Sequence, residues 1–183
     1  MTDLKKIDKS WTLFLDRDGV INDEKHMAYI NSWSEFKFYP GVKNAIKIFS
    51  EKFALIFIVT NQRGVAKGLT KVEDLEIIHK NLIDEVKTAG GRIDKIYFCR
   101  DMDNVSPDRK PNPGMGLHAK KDFPQIDFSK SIMVGNTITD MEFGRNLGIA
   151  INVFLPTTNP FIGVQSPIID MVFPDLLAVA KAL

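Results

Sequence analysis

Short apolar runs separated by amphipathic stretches constrain this chain more than any other feature. Leu13–Leu15, Ala54–Val59, Ile96–Phe98 and Ile132–Val134 are such runs, and Ala150–Phe154 is a fifth. A run without polar alternation suits a strand buried on both faces. Between the runs the period changes. Val42–Phe49 places apolar residues at 42, 45, 46 and 49, and Leu75–Val86 places them at 75, 78, 82, 83 and 86. Both follow the spacing of one helix face. Pro40-Gly41 is a turn signal ahead of the first helix, and Gly90-Gly91 ends the second. Thr70, with Glu73 three positions on, is the expected N-cap and capping box of the second. Thr137–Leu147 is a third helix, closed by Gly148. Short strands alternating with helices require crossover connections, and hence an α/β fold with a parallel sheet covered on both faces. With 183 residues, and neither repeat nor linker, the expectation is a single domain over 1–183.

In such a sheet, ligands sit beyond the carboxyl ends of the strands. The first run ends in Asp16-Arg17-Asp18-Gly19 and the second in Thr60-Asn61-Gln62-Arg63-Gly64. Arg109-Lys110-Pro111 follows the third, and Gly135-Asn136 the fourth, with Asp140 four residues on. Two carboxylates one position apart repel unless something offsets them. Phosphoryl transfer uses such a set. One carboxylate attacks phosphorus while a second exchanges protons with the leaving oxygen and with water. A hydroxyl holds phosphoryl oxygens, and a lysine stabilises the charge that spreads in the transition state. Mg²⁺ suits a site where carboxylates meet phosphate.

These residues resemble the haloacid dehalogenase superfamily, with Phe14-Leu15-Asp16-Arg17-Asp18-Gly19 like its first motif, Val59-Thr60-Asn61 its second, Lys110-Pro111 its third and Val134-Gly135-Asn136 through Asp140 its fourth. D-R-D-G-V-I-N, T-N-Q-R-G-V-A-K-G and R-K-P-N-P-G-M are similar to D-glycero-D-manno-heptose 1,7-bisphosphate phosphatases and to histidinol-phosphate phosphatases. The resemblance runs from about Trp11 to about Val153. It implies a Rossmann-like, doubly wound domain without a cap that hydrolyses a small phosphate monoester with Mg²⁺. No segment between the strands is long enough for an inserted cap domain. By the same resemblance, Asp16 is the nucleophile and Asp18 the general acid/base, its backbone carbonyl a metal ligand. Thr60 and Asn61 hold phosphate, Lys110 neutralises charge and Arg109 contacts substrate. Arg63 and Lys67 are candidates for a second, distal phosphate.

Two positions depart from that pattern. Asn136 stands where the heptose branch has a metal-ligating Asp; it keeps a carbonyl oxygen and loses the charge, which weakens a hard-cation site. Asp140 is the nearby acid, placed either to act on the metal through a water or to orient Lys110. The loop after Phe98 keeps Cys99 alone of the branch's zinc-binding cysteines, with Asp101, Ser106 and Asp108 near the other ligand positions. One thiolate with a hydroxyl and carboxylates is a poor zinc site, so no zinc is expected. Asx turns and the prolines at 107, 111 and 113 are expected to hold this loop. A rival reading follows from Asn136: a binding protein that keeps the phosphate pocket without the chemistry.

Composition narrows the partners. With 24 basic and 23 acidic residues the net charge is +1, which offers no general attraction to nucleic acid or a membrane surface. A single cysteine excludes an internal disulfide. The first ten residues hold no apolar signal core, and a cytoplasmic monomer or weak dimer acting on a small molecule is expected. Cys99 reads as a small core residue. His79 and His118 are expected on helices, packed or solvated, and His26 is a candidate for touching substrate. Trp33, Phe36 and Phe38 are expected to pack at the sheet edge rather than line a pocket.

Overall fold

The structure is a computed structural model and describes residues 4–25, 28–158 and 166–183. Its strands are β1 (Thr12–Leu15), β2 (Leu55–Asn61), β3 (Lys95–Cys99), β4 (Ser131–Gly135), β5 (Ile151–Phe154) and β6 (Met171–Val172). They form one parallel sheet in the order β3-β2-β1-β4-β5-β6. The helices are α1 (Val42–Lys52), α2 (Arg63–Ala66), α3 (Val72–Thr88), α4 (Gly114–Asp122), α5 (Ile138–Leu147) and α6 (Leu176–Lys181).

Strand side chains alternate between two cores. Leu13, Leu15, Ile56, Ile58, Ile132 and Val134 join residues of α1, α3 and α6 on one face. Phe14, Phe57, Val59 and Met133 join residues of α4 and α5 on the other. Both faces are covered, which is why these strands read as unbroken apolar runs. His26 lies outside the described residues.

The sixth strand, β6, is absent from the sequence reading: two residues on a sheet edge carry no period. The expected capping box at Thr70 is also absent. Lys71 is the N-cap of α3 and caps through no side chain, while Thr70 Oγ1 donates to Asn31 Oδ1 at 2.6 Å. A tertiary partner has taken the hydroxyl. The capping box belongs to α5, between Thr137 and Asp140. Trp33 stacks on Phe36 and Phe36 meets Phe38 edge-on, both at 5.0 Å, against the first core.

Topology sets the site's address. From β1 the chain winds outward through β2 to β3, then returns to the other side of β1 as β4 and winds on to β5 and β6. The connections leaving β1 and β4 therefore diverge, and a crevice opens beyond their carboxyl ends. Asp16 sits in that crevice, its N–H continuing the ladder to the Val134 carbonyl at 3.0 Å.

Candidate active site

Lys110 organises the crevice. Its Nζ donates to Asp16 Oδ1 at 2.8 Å, Asp140 Oδ1 at 2.6 Å and the Val59 carbonyl at 2.8 Å. All three ammonium protons are used, and the side chain is buried. The two carboxylates outweigh the burial penalty and raise the Lys110 pKa, so it stays charged. Asn61 positions it: Asn61 Nδ2 donates to the Lys110 carbonyl at 3.1 Å, and Lys110 N–H donates to Asn61 Oδ1 at 3.0 Å. The amide of Asn61 thus ties the Lys110 loop to the end of β2.

Asp140 fills the second of the two places proposed for it, beside Lys110. Its other oxygen, Oδ2, accepts from Thr137 Oγ1 at 2.7 Å, Thr137 N–H at 3.0 Å and Asn136 N–H at 3.2 Å. Both oxygens are engaged, and the start of α5 fixes them.

Asp18 is held differently. Arg17 Nη2 donates to both its oxygens, at 2.9 and 3.0 Å, Asn22 Nδ2 donates at 2.9 Å and Gln62 Nε2 at 2.8 Å. Burial raises its pKa, but Arg17 and these hydrogen bonds more than offset burial and hold it below the usual carboxylate range. Gln62 also donates to Thr60 Oγ1 at 2.9 Å, which joins Asp18 to the end of β2. Arg17, Asn22 and Gln62 lay inside the quoted motifs without a role assigned; only their convergence reveals one.

Arg17 is itself buried, and its Nη1 donates to His79 Nε2 at 3.1 Å. His79 is therefore packed and neutral. Burial, then the guanidinium, pushes its pKa down to about 3. The unfolded imidazole takes its proton near 6.5, so across that window the unfolded chain binds more protons, and stability falls as the pH drops. The loss expected from His79 between pH 7 and pH 5 is about 2 kcal/mol. His79→Gln keeps an acceptor for Arg17 and removes the titration. Urea unfolding at pH 7 and pH 5 should show a smaller acid loss in this variant, and equal losses would contradict a neutral buried His79.

Asp16 carries the excess charge. Lys110 serves both Asp16 and Asp140, leaving one buried negative charge over. Burial pushes the Asp16 carboxyl up to about 7 against the pull of Lys110. The inner amide atom of Asn136 lies 3.2 Å from the Asp18 carbonyl oxygen and 3.3 Å from Asp16 Oδ2, and the outer atom lies 2.5 Å from Thr158 Oγ1. With its oxygen inward, Asn136 completes a cluster of three acceptors facing one another. A charge left over and three converging oxygens fit a small hard cation. No group of three or more His, Cys, Asp or Glu side chains suited to a metal occurs among the described residues. This trio is instead one carboxylate, one backbone carbonyl and one amide. Gly19 leaves the space: its φ is +81°, and a Cβ there would overlap the Asn136 amide.

The crevice is a cavity of about 260 Å³ whose walls include Asp16, Asp18, Thr60, Asn61, Lys110 and Asp140. Arg63 and Arg109 line it as well. Arg109 Nε donates to Asn104 Oδ1 and Nη1 to the Asp101 carbonyl, both at 3.2 Å. Lys67 does not reach the wall. One turn beyond Arg63, it is exposed, with Nζ 5.4 Å from the centre of the Tyr29 ring. Ser106 Oγ donates to Asp101 Oδ2 at 2.5 Å, and Asp103 Oδ1 accepts from Val105 N–H at 3.0 Å in an Asx turn. The loop after β3 thus holds itself with its own side chains, and Cys99 is buried in the second core. His118 lies on α4 and is exposed, its Nε2 2.9 Å from Asp108 Oδ1.

A buried carboxylate clamped by lysine at the switch point of a parallel sheet fits one class: a haloacid dehalogenase-type phosphatase. Comparison with known proteins gives the family. Residues 12–153 match the model of the polynucleotide kinase 3 phosphatase family, and the chain belongs to it. A D-glycero-beta-D-manno-heptose-1,7-bisphosphate 7-phosphatase of Rhodopseudomonas palustris is 37% identical over 74% of this chain and 78% of its own. A D-glycero-alpha-D-manno-heptose-1,7-bisphosphate 7-phosphatase of Campylobacter jejuni is 38% identical over 77% and 80%. The crystal structure of D,D-heptose 1,7-bisphosphate phosphatase from B. bronchiseptica, complexed with magnesium and phosphate, superposes with a TM-score of 0.83 at 28% identity, covering 93% of this chain and 96% of that one. No helix among the described residues is long and apolar enough to cross a membrane.

Proposed function

We propose that this protein is a Mg²⁺-dependent phosphatase of D-glycero-D-manno-heptose 1,7-bisphosphate working through an Asp16 aspartyl-phosphate. The observation that carries the reading is the Lys110 clamp on Asp16, which presents a buried carboxylate beside a lysine in the wall of the cavity. Asp16 Oδ2, the Asp18 carbonyl and Asn136 Oδ1 would hold Mg²⁺, whose chemistry is to offset the repulsion between carboxylate and phosphate.

The steps of the chain's own residues follow. An Asp16 oxygen forms a bond to phosphorus as the bond to the sugar oxygen breaks. Asp18 gives that oxygen a proton. It then takes one from water as the water attacks phosphorus, releasing phosphate and restoring Asp16. Asp18 as held by Arg17, Asn22 and Gln62 is the ionised form, ready for the second half. An arriving phosphate places negative charge beside it and favours the protonated form that the first half needs. Thr60 offers its hydroxyl to the phosphoryl oxygens. Asn61 and Asp140 act by holding Lys110.

The bisphosphate has its own support. Arg63 and Arg109 stand in one wall, and burial and the charge of Arg63 lower the Arg109 pKa. Two such cations favour a second anion, the distal phosphate. A panel of heptose 1,7-bisphosphate, histidinol phosphate, simple sugar monophosphates and a 3′-phosphorylated oligonucleotide, assayed with and without Mg²⁺, tests the reading. The bisphosphate should have the highest kcat/KM, and only with Mg²⁺. A different preferred ester would replace the substrate, and no hydrolysis of any ester would favour the binding-protein alternative.

A further inference from the structure

Asn136 leaves an unsolved problem at the metal site, because an amide has two faces. With oxygen inward it meets two acceptors, the Asp18 carbonyl and Asp16 Oδ2. With nitrogen inward it would donate to both and exclude a cation. Glu24 and Thr158 bear on this choice. Thr158 Oγ1 lies 2.5 Å from the outer amide atom of Asn136 and 2.5 Å from Glu24 Oε2. A carboxylate only accepts, and a hydroxyl has one proton to give. That proton goes to Glu24, so Thr158 can only accept from Asn136, and the outer amide atom must be nitrogen. Glu24 Oε2 takes a second, longer contact from the same nitrogen at 3.5 Å. Turned over, the amide would set its oxygen against Glu24 in competition for a single proton.

We propose that Glu24, acting through the Thr158 hydroxyl, is a positioning residue that orients the Asn136 amide with its oxygen toward Mg²⁺. Tertiary packing supports the relay. Thr157 Oγ1 donates to the Gly19 carbonyl at 2.5 Å and pins the loop after β5 onto the loop after β1. A Cβ at Gly19 would lie 2.9 Å from Thr158 Oγ1, so glycine permits the approach. The inference rests on the Mg²⁺ site of the proposed function.

Mg²⁺ titration by calorimetry, without substrate, tests it. Glu24→Leu, which removes the acceptor and frees the Thr158 proton, should weaken Mg²⁺ binding roughly tenfold, the low end of the range for residues that orient a metal ligand, because Glu24 is exposed. Thr158→Val should weaken it as well. In an Asn136→Asp background, where either carboxylate oxygen can face the metal, Glu24→Leu should change affinity less than about twofold. An equal loss in both backgrounds would show plain charge attraction and overturn the orienting role, as would no loss in the parent. A parent protein that binds no Mg²⁺ would sink both this inference and the proposed function, whereas normal parent binding that ignores Glu24→Leu would sink the inference alone.

Discussion

Asp16→Asn is expected to remove turnover and leave the fold intact. Loss of a covalent nucleophile costs roughly 10⁴-fold or more in kcat where the remaining groups cannot replace it. An amide cannot attack phosphorus as a carboxylate does, and the other two aspartates in the cavity wall are engaged. Asp18 is held by Arg17, Asn22 and Gln62, and both oxygens of Asp140 are taken. The fold should tolerate the change. Lys110 keeps Asp140 and the Val59 carbonyl as acceptors, and the Asp16 carboxylate is a buried charge whose ionisation burial already opposes. Phosphate release and thermal unfolding, measured side by side, give the check. A folded Asp16→Asn protein that hydrolyses its ester within tenfold of the parent rate would place the nucleophile elsewhere.

Lys110→Met is expected to damage both rate and stability. Removing one preorganised charge-stabilising donor typically costs 10²–10³ in kcat, about 3–4 kcal/mol. The stability loss has a different origin. Breaking a buried ion pair from one side strands the partner charge, at a cost of about 3–5 kcal/mol. Here the stranded partners would be Asp16 and Asp140, both buried. Pairing the change with Asp140→Asn should recover more than half of the lost stability, since an asparagine oxygen still accepts from Thr137 while the charge is gone. Activity should not return. Urea midpoints of the single and double variants measure the coupling, and strictly additive losses would mean that Lys110 and Asp140 do not act as a pair.

Much of this site was legible because strands and crossover helices leave periodic marks. Once β1, β2 and β4 were read as buried parallel strands, Asp16, Thr60 and Asn136 had to emerge at one edge of the sheet. Lys110 followed from its place after β3 in a motif of recognised order. What escaped was whatever a tertiary partner decides. The expected capping hydroxyl of Thr70 went to Asn31, and the true capping box had Asp140 in a double role. Lys67, drawn as a phosphate ligand from its place after Arg63, lies outside the cavity because one helical turn carries it past the wall. His79 looked like any helix histidine until Arg17 was found against it.

The sequence by itself determined the chemistry available: two carboxylates, a hydroxyl and a lysine at strand ends, and an amide where a third acid was expected. Local periodicity places the strand ends, because backbone geometry dictates where each strand ends and which way its connection runs; the acid expected in place of Asn136 came from the resemblance of the motifs. The tertiary structure alone decided which face that amide turns inward. Glu24 and Thr158 stand 134 residues apart, and their meeting at Asn136 depends on two loops docking across Gly19. No periodicity along a chain encodes a contact between two irregular loops; only the packed fold brings those atoms within hydrogen-bonding distance.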